Sequence, residues 1–175
     1  MKEYIINVNE LSFYTKILSA GDKIYLSGTV YTARDAAHKR IFEMLEKGET
    51  LPFEIKDSVI YFAGPTPTPQ GFAIGSCGPT TSSRMDPYTP KLHDLGLIAT
   101  IGKGKRNKEV VESIKRNSCI YLCAIGGAGA LAALNITECE VIAFEELGCE
   151  SVKKLYFDNF PLIVAIDSNG NQIFK

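Results

Sequence analysis

The sequence predicts an α/β fold built on a mixed sheet, and three observations carry that expectation. Short apolar runs rich in β-branched residues recur along the chain. Strands alternate with helical stretches in the second half, and the first half is richer in strand and loop. At 175 residues the chain fits one domain, residues 1–175, with a full core. A domain of that size hides roughly 70% of its unfolded surface.

The apolar runs place strands at Lys23–Val30, Ser58–Phe62, Phe72–Cys77, Leu97–Ile101, Cys119–Ile125, Glu140–Phe144 and Leu162–Ile166. Helical spacing covers Ala33–Lys47, where Ala37, Ile41, Met44 and Leu45 share a face and Gly48 can close the C-terminus. Thr32 and Asp35 stand in capping-box spacing at its start. A second helix fits Lys108–Asn117 with Asn107 as its cap, and a shorter one begins near Ala128 and runs to about Asn135. Ser168-Asn169-Gly170 between two apolar runs reads as a terminal hairpin. The proline-rich Gly64–Pro69 reads as a rigid loop, because the roughly 60 residues before it are few for a separate domain.

Composition narrows the function. A formal net charge of −1 offers no electrostatic footprint for nucleic acid or an anionic membrane. No apolar run approaches the roughly 18 residues of a membrane span, and the first residues do not read as a signal peptide. Five cysteines without a secretory signal point to reduced thiols and a cytoplasmic protein. They do not form a metal site. Cys119 and Cys123 are four apart on a predicted strand, hence roughly 13 Å from each other. Cys77, Cys139 and Cys149 lack C-x-x-C spacing, and His38 and His93 are the only histidines.

Four segments could carry chemistry. Gly78–Asp86 holds four consecutive hydroxyl residues, Thr80, Thr81, Ser82 and Ser83, followed by Arg84. Short donors, free backbone N–H groups and a planar cation would suit a carboxylate or phosphate. The same residues also make an ordinary turn with capping serines and a solvated Arg84, and chemistry alone leaves both open. In Thr32–His38, Arg34 adds positive charge to an already positive helix end, which is unfavourable by a few tenths of a kcal/mol unless an anion arrives. The commoner meaning is an Arg34 paired with an acidic residue elsewhere and a His38 partnered by Asp35. Gly102–Arg106 offers Lys103 between glycines, although such a run is more often a solvated basic turn. Ile125–Ala132 contains G-x-G-x-x-A with Glu145 beyond it, like a dinucleotide fingerprint. Its helix is short and it lies late in the chain, so a small nucleotide-binding domain using Gly127 and Gly129 stays an alternative only.

TARDAAHKR, GPTTSSRMDPY, IGKGKR and IGGAGALAAL, in that order, resemble the beta-type catalytic domain of class I iron–sulfur fumarate hydratases and L-tartrate dehydratases. The resemblance runs from about Gly21 to the C-terminal IVAIDSNGNQIF. It implies a swivelling β/β/α domain. It also implies an alpha-type partner subunit that carries a [4Fe–4S] cluster, in a heteromer acting on a C4 dicarboxylate. By the same resemblance Arg34, Arg84 and Lys103 grip substrate carboxylates, Thr80 abstracts the proton, and Thr81 and Ser82 adjoin it. His38 corresponds to the histidine of R-D-x-x-H and is placed with the substrate-binding residues. Fumarate hydratase is the expected activity, with the L-tartrate dehydratase beta subunit as the alternative.

Overall fold

The computed structural model describes residues 1–124 and 129–174. Seven strands form one sheet: β1 (Glu3–Asn7), β2 (Lys23–Thr32), β3 (Val59–Tyr61), β4 (Ala99–Gly102), β5 (Ile120–Cys123), β6 (Ile136–Ala143) and β7 (Val152–Ile166). Parallel pairing joins β1 to β2, β2 to β3, β3 to β4 and β4 to β5. β7 then runs antiparallel to β5 on one edge and to β2, from Lys23↔Ile163 to Thr32↔Lys153. The hydrogen-bonded ring β2–β3–β4–β5–β7 therefore closes on itself, leaving β1 and β6 as appended strands. The sheet is mixed, as the patterning implies, and closure leaves the five ring strands few unpaired backbone groups.

Alternation decides what fills the ring. β2 buries every second residue, and Ile24, Leu26 and Val30 share one apolar cluster with Tyr61, Ile101 and Phe157. Each such fully buried side chain contributes roughly 1.5–3 kcal/mol. The opposite face of β3, through Ile60 and Phe62, packs on helices α2 (Asp35–Glu46) and α3 (Thr89–Asp94). Helix α4 (Lys108–Asn117) covers Tyr121 and Ile166 through Val110 and Ile114. One-turn α1 (Leu11–Tyr14) and six-residue α5 (Gly129–Leu134) complete the chain.

Several local expectations change. Phe72–Cys77 is not a strand but part of an irregular loop folded back on the proline-rich segment, with Thr66 and Ser76 bonded both ways. Phe72 is exposed there, so its apolar run has no sheet to join. The capping box at Thr32 also fails. Thr32 ends β2 with its hydroxyl bonded to the Lys153 N–H and the Ser151 carbonyl, which places Arg34 at the helix cap. The terminal turn forms, with Ile166 bridging Gln172. Strand β7 extends ten residues before the predicted start at Leu162, past Asn159 in a left-handed conformation and past Pro161.

Two neutral histidines sit between the helices and the ring. His93 in α3 reaches Ser113 Oγ in α4 at 2.8 Å, and the Ser113 hydroxyl donates to Val110, so His93 Nδ1 carries the proton. His38 in α2 is fully buried, with Nδ1 3.0 Å from the Arg34 carbonyl oxygen. Burial first, and then the nearby Arg106 charge, lowers His93 to about 3; burial lowers His38 to about 4.

Both values lie below the ordinary histidine range, so protons favour the unfolded chain. The stabilisation is complete above about pH 6.5 and is lost as pH falls towards 4 and then 3, each histidine contributing up to about 1.4 kcal/mol per pH unit. Urea unfolding should therefore show a falling midpoint between pH 6.5 and 5, above the titration of most carboxylates, and His93→Gln should flatten it. A wild-type midpoint constant across that range would refute the account.

Candidate active site

The hydroxyl-rich turn is placed by the carboxyl ends of the parallel strands β3 and β4. Thr80 donates its backbone N–H to the Phe62 carbonyl at 2.6 Å, one residue beyond β3. Thr81 bridges Lys103 in parallel fashion, and the Ser82 N–H donates to the Lys103 carbonyl at 2.9 Å, one residue beyond β4. The chain then coils through a 3-10 turn, Ser82–Met85, that buries Met85 and leaves Ser83 and Arg84 outside. Ser82 is fully buried, its Oγ 2.8 Å from the Tyr121 hydroxyl, which is also 2.9 Å from the Gly104 carbonyl oxygen. Gly102 makes this seat possible, because a Cβ there would overlap the Ser82 hydroxyl and press on Phe62.

A buried ion pair anchors the turn from behind. Arg106 Nε donates to Asp86 Oδ1 at 2.6 Å, Nη1 to Thr100 Oγ1 at 3.1 Å and Nη2 to Thr89 Oγ1 at 2.7 Å. Its guanidinium lies 5.3 Å from the Phe62 ring centroid and 4.9 Å from that of Tyr121. Asp86 Oδ2 accepts the Asn107 N–H at 2.8 Å at the start of α4. Of the basic run, Lys103 and Lys105 are exposed, but the expectation of a solvated turn fails for Arg106, whose side chain is wholly buried.

In front of the turn two arginines meet on one carboxylate. Arg84 donates Nε to Asp35 Oδ1 at 2.8 Å and Nη2 to Asp35 Oδ2 at 2.7 Å. Arg34 Nε lies 3.2 Å from Asp35 Oδ2 and 3.4 Å from Glu150 Oε1. Glu150 also accepts the Ala36 N–H at 3.2 Å. It arrives on a 3-10 turn, Glu145–Glu150, whose carbonyls at Gly148 and Cys149 take hydrogen bonds from the buried Lys153 ammonium. Gly64, just beyond β3, leaves the space for Arg34; a Cβ there would stand 3.1 Å from its Cδ and 3.2 Å from Nη1. Burial pushes the Asp35 carboxyl up, but its own backbone N–H, the Arg34 hydrogen bond and both arginine charges outweigh it and hold it below the ordinary carboxylate range.

The sequence-predicted residues thus divide. Arg34 and Arg84 come together on Asp35, while Thr80, Thr81 and Lys103 lie on the two adjoining strand ends. Thr81 and Lys103 are exposed and Thr80 is buried. Among the described residues neither threonine hydroxyl has a hydrogen-bond partner, and no basic side chain is bonded to Thr80. The internal carboxylate on Arg84 weighs against a clamp that stands wholly free. His38 does not reach the site: its ring packs against Phe62 and Tyr88, and it holds the Arg34 carbonyl instead of Asp35. Ser82 likewise turns inward and supports the turn. Gly64, Asp86 and Tyr121 carry no signal in the sequence that ties them to the site. Asp35 stands there only as the capping-box partner of Thr32 or a partner of His38, and Arg106 only as a member of a basic run.

The described residues lend the dinucleotide fingerprint no support. Ile125–Ala128 lie outside the described residues, and Gly129 opens a helix of only six residues. The following β6 pairs antiparallel with β7. Nor do the thiols fit an iron–sulfur cluster. Cys77 and Cys119 are buried, Cys123 and Cys139 half-buried and Cys149 exposed. Among the described residues no three cysteine, histidine or acidic side chains gather where a metal could be held. No described helix is long and apolar enough to cross a membrane.

Comparison with known proteins is consistent across the chain. A family model described as the fumarase C-terminus matches residues 3–175. Fumarate hydratase 2 of Leishmania major is 42% identical over 157 residues, which cover 89% of this chain and 28% of that protein. The aerobic class I fumarate hydratase of Escherichia coli is 37% identical over 177 residues, covering 100% of this chain and 31% of that protein. The chain therefore spans under a third of the fumarate hydratases it matches. The putative L(+)-tartrate dehydratase subunit beta of Methanocaldococcus jannaschii is 42% identical over 166 residues, covering 91% of this chain and 85% of that one.

The seat of Ser82 yields a stability test. Gly102→Ala should cost about 1–3 kcal/mol through overpacking. Ser82→Ala should cost about 1 kcal/mol through the lost Tyr121 contact. Because Ser82 Oγ is the atom a Cβ at Gly102 would strike, the double variant should be clearly more stable than the sum of the singles. Denaturant unfolding of the three variants measures this, and simple additivity would show that the close approach is relieved elsewhere.

Proposed function

Because the chain belongs to the fumarase C-terminus family, we propose that it is the beta-type part of an iron–sulfur hydro-lyase that adds water reversibly to fumarate to form L-malate. The single observation that carries this reading is the meeting of Arg34 and Arg84 on Asp35, beside Thr80 and Lys103 at the carboxyl ends of the parallel strands. A C4 dicarboxylate needs two anion clamps, and this edge supplies three cations on three separate loops.

In this reading Arg34, Arg84 and Lys103 hold the two carboxylates, and Thr81 adds a short donor. Thr80 takes the proton next to a carboxylate, where enolate-like charge develops and fixed cations stabilise it. A threonine is a weak base at its free pKa, so the cationic surroundings must help it. The cluster implied by the family finds no ligand set among the described residues, so the reading assigns it to an alpha-type partner chain. In this reading that partner supplies the remaining wall of the site. Free thiols at all five cysteines support a cytoplasmic setting. A tartrate dehydratase beta subunit is the second reading. It is favoured by the separate beta chain of M. jannaschii, 85% of which is covered by the match.

Anaerobic co-expression with an alpha-type chain, followed by assays with fumarate, malate and tartrate, separates the two substrates. In that assembly Arg84→Lys should lose roughly 2–5 kcal/mol of transition-state stabilisation, since lysine keeps the charge but not the planar fork. A kcat/KM within threefold of wild type would remove Arg84 from the site.

A further inference from the structure

We propose that Asp35 is a positioning residue whose carboxylate holds the two arginines so that each presents its terminal fork to one carboxylate of the substrate. The proposal rests on the dicarboxylate reading of the site and adds the element that makes two separate clamps out of two like charges.

A guanidinium has two bidentate edges, the side edge formed by Nε and one terminal nitrogen and the end edge formed by both terminal nitrogens. Asp35 takes Arg84 by the side edge, through Nε at 2.8 Å and Nη2 at 2.7 Å. Nη1 and the second hydrogen of Nη2 are left, and they form the end fork. Arg34 is also held through Nε alone, shared by Asp35 Oδ2 at 3.2 Å and Glu150 Oε1 at 3.4 Å. Its terminal nitrogens have no partner among the described residues, and Gly64 keeps the space beside Nη1 clear of a side chain. The Asp35 carboxylate therefore occupies neither end fork. It fixes the direction of both and offsets the repulsion between two cations gathered at one point.

Asp35 itself is well held. It opens α2, whose cap residue is Arg34, and its helix is tied down by Ala36 N–H on Glu150 and by buried His38 on the Arg34 carbonyl. Arg84, by contrast, comes from the hydroxyl-rich turn 49 residues away and is half-exposed. A long, half-exposed side chain has many rotamers, and the double hydrogen bond to Asp35 selects one before substrate arrives. That is preorganisation: the ordering cost falls on folding and not on binding.

Charge and positioning predict opposite signs, which makes the test decisive. Removing the Asp35 charge raises the local positive potential, so electrostatics alone would tighten the binding of a dianion. Loss of positioning would weaken it. In the co-expressed enzyme, Asp35→Asn should raise KM for the C4 dicarboxylate at least tenfold. The inhibition constant of succinate, which has both carboxylates but cannot react, should rise in parallel. A merely structural role would lower the unfolding temperature and leave both constants in place.

Asp35→Glu keeps the charge but moves the carboxylate by one methylene, and should raise both constants three- to tenfold. It also decides the matter if the asparagine variant does not assemble. Unchanged or lower constants in the asparagine variant, or in the glutamate variant where that is the one obtained, overturn the proposal. Arg84→Lys measured alongside separates the two levels. If it is crippled while Asp35 variants are silent, only the positioning role falls; if Arg84→Lys is silent as well, the dicarboxylate site itself is misplaced.

Discussion

The site depends on a charge pair that never meets water. Arg106 and Asp86 lose their hydration on folding, a cost of several kcal/mol per ion, and only near-complete saturation of their hydrogen bonds can offset it. That saturation requires Thr100 from β4, Thr89 from α3 and the Asn107 N–H at the head of α4, all in register. Phe62 and Tyr121 must also flank the cation from β3 and β5. Five elements of the fold are thereby made to agree at one point, and the turn carrying Thr80 to Arg84 is attached to that point through Asp86. The reactive edge inherits its geometry from a centre behind it that touches no ligand.

The front of the edge follows another rule. There the charges stay partly hydrated and are gathered around Asp35 and Glu150 instead of being sealed in. Partial exposure keeps desolvation low, and the arginines remain able to exchange one anionic partner for another. A rigid buried pair at the back and a hydrated cluster in front divide the two tasks, holding the backbone and meeting an anion.

Legibility in the sequence followed the range of the interactions. Helix α4 was readable because its cap is local: the Asn107 side chain accepts the Val110 N–H at 2.9 Å. The apolar stripe of α2 was readable for the same reason. The alignment of Arg34, Arg84, Lys103 and Thr80 is legible only through resemblance, since nothing local brings together residues that lie up to 69 positions apart. Arg106 was misjudged because a basic run looks solvated until a distant aspartate and two rings enclose one member of it. Phe72–Cys77 shows the converse, an apolar run without a neighbouring strand to pair with. The first part of β7 escaped notice because Asp158, Asn159 and Pro161 interrupt its alternation where β2 carries a bulge near Gly28.

The closing strand of the ring also bears on how the chain is made. β2 is made well before its antiparallel partner, which ends at Ile166, and Lys23 waits for Ile163, 140 positions later. Until then β2 has only β1 and the short β3 beside it, and one long edge stays open to any extended segment in reach. Such late, distant pairing raises contact order, which slows folding and lengthens the life of aggregation-prone intermediates. For this molecule the hazardous interval lies between the synthesis of β2 and that of β7, so its yield in the cell should depend on translation speed and chaperone supply more than on the stability of the finished ring.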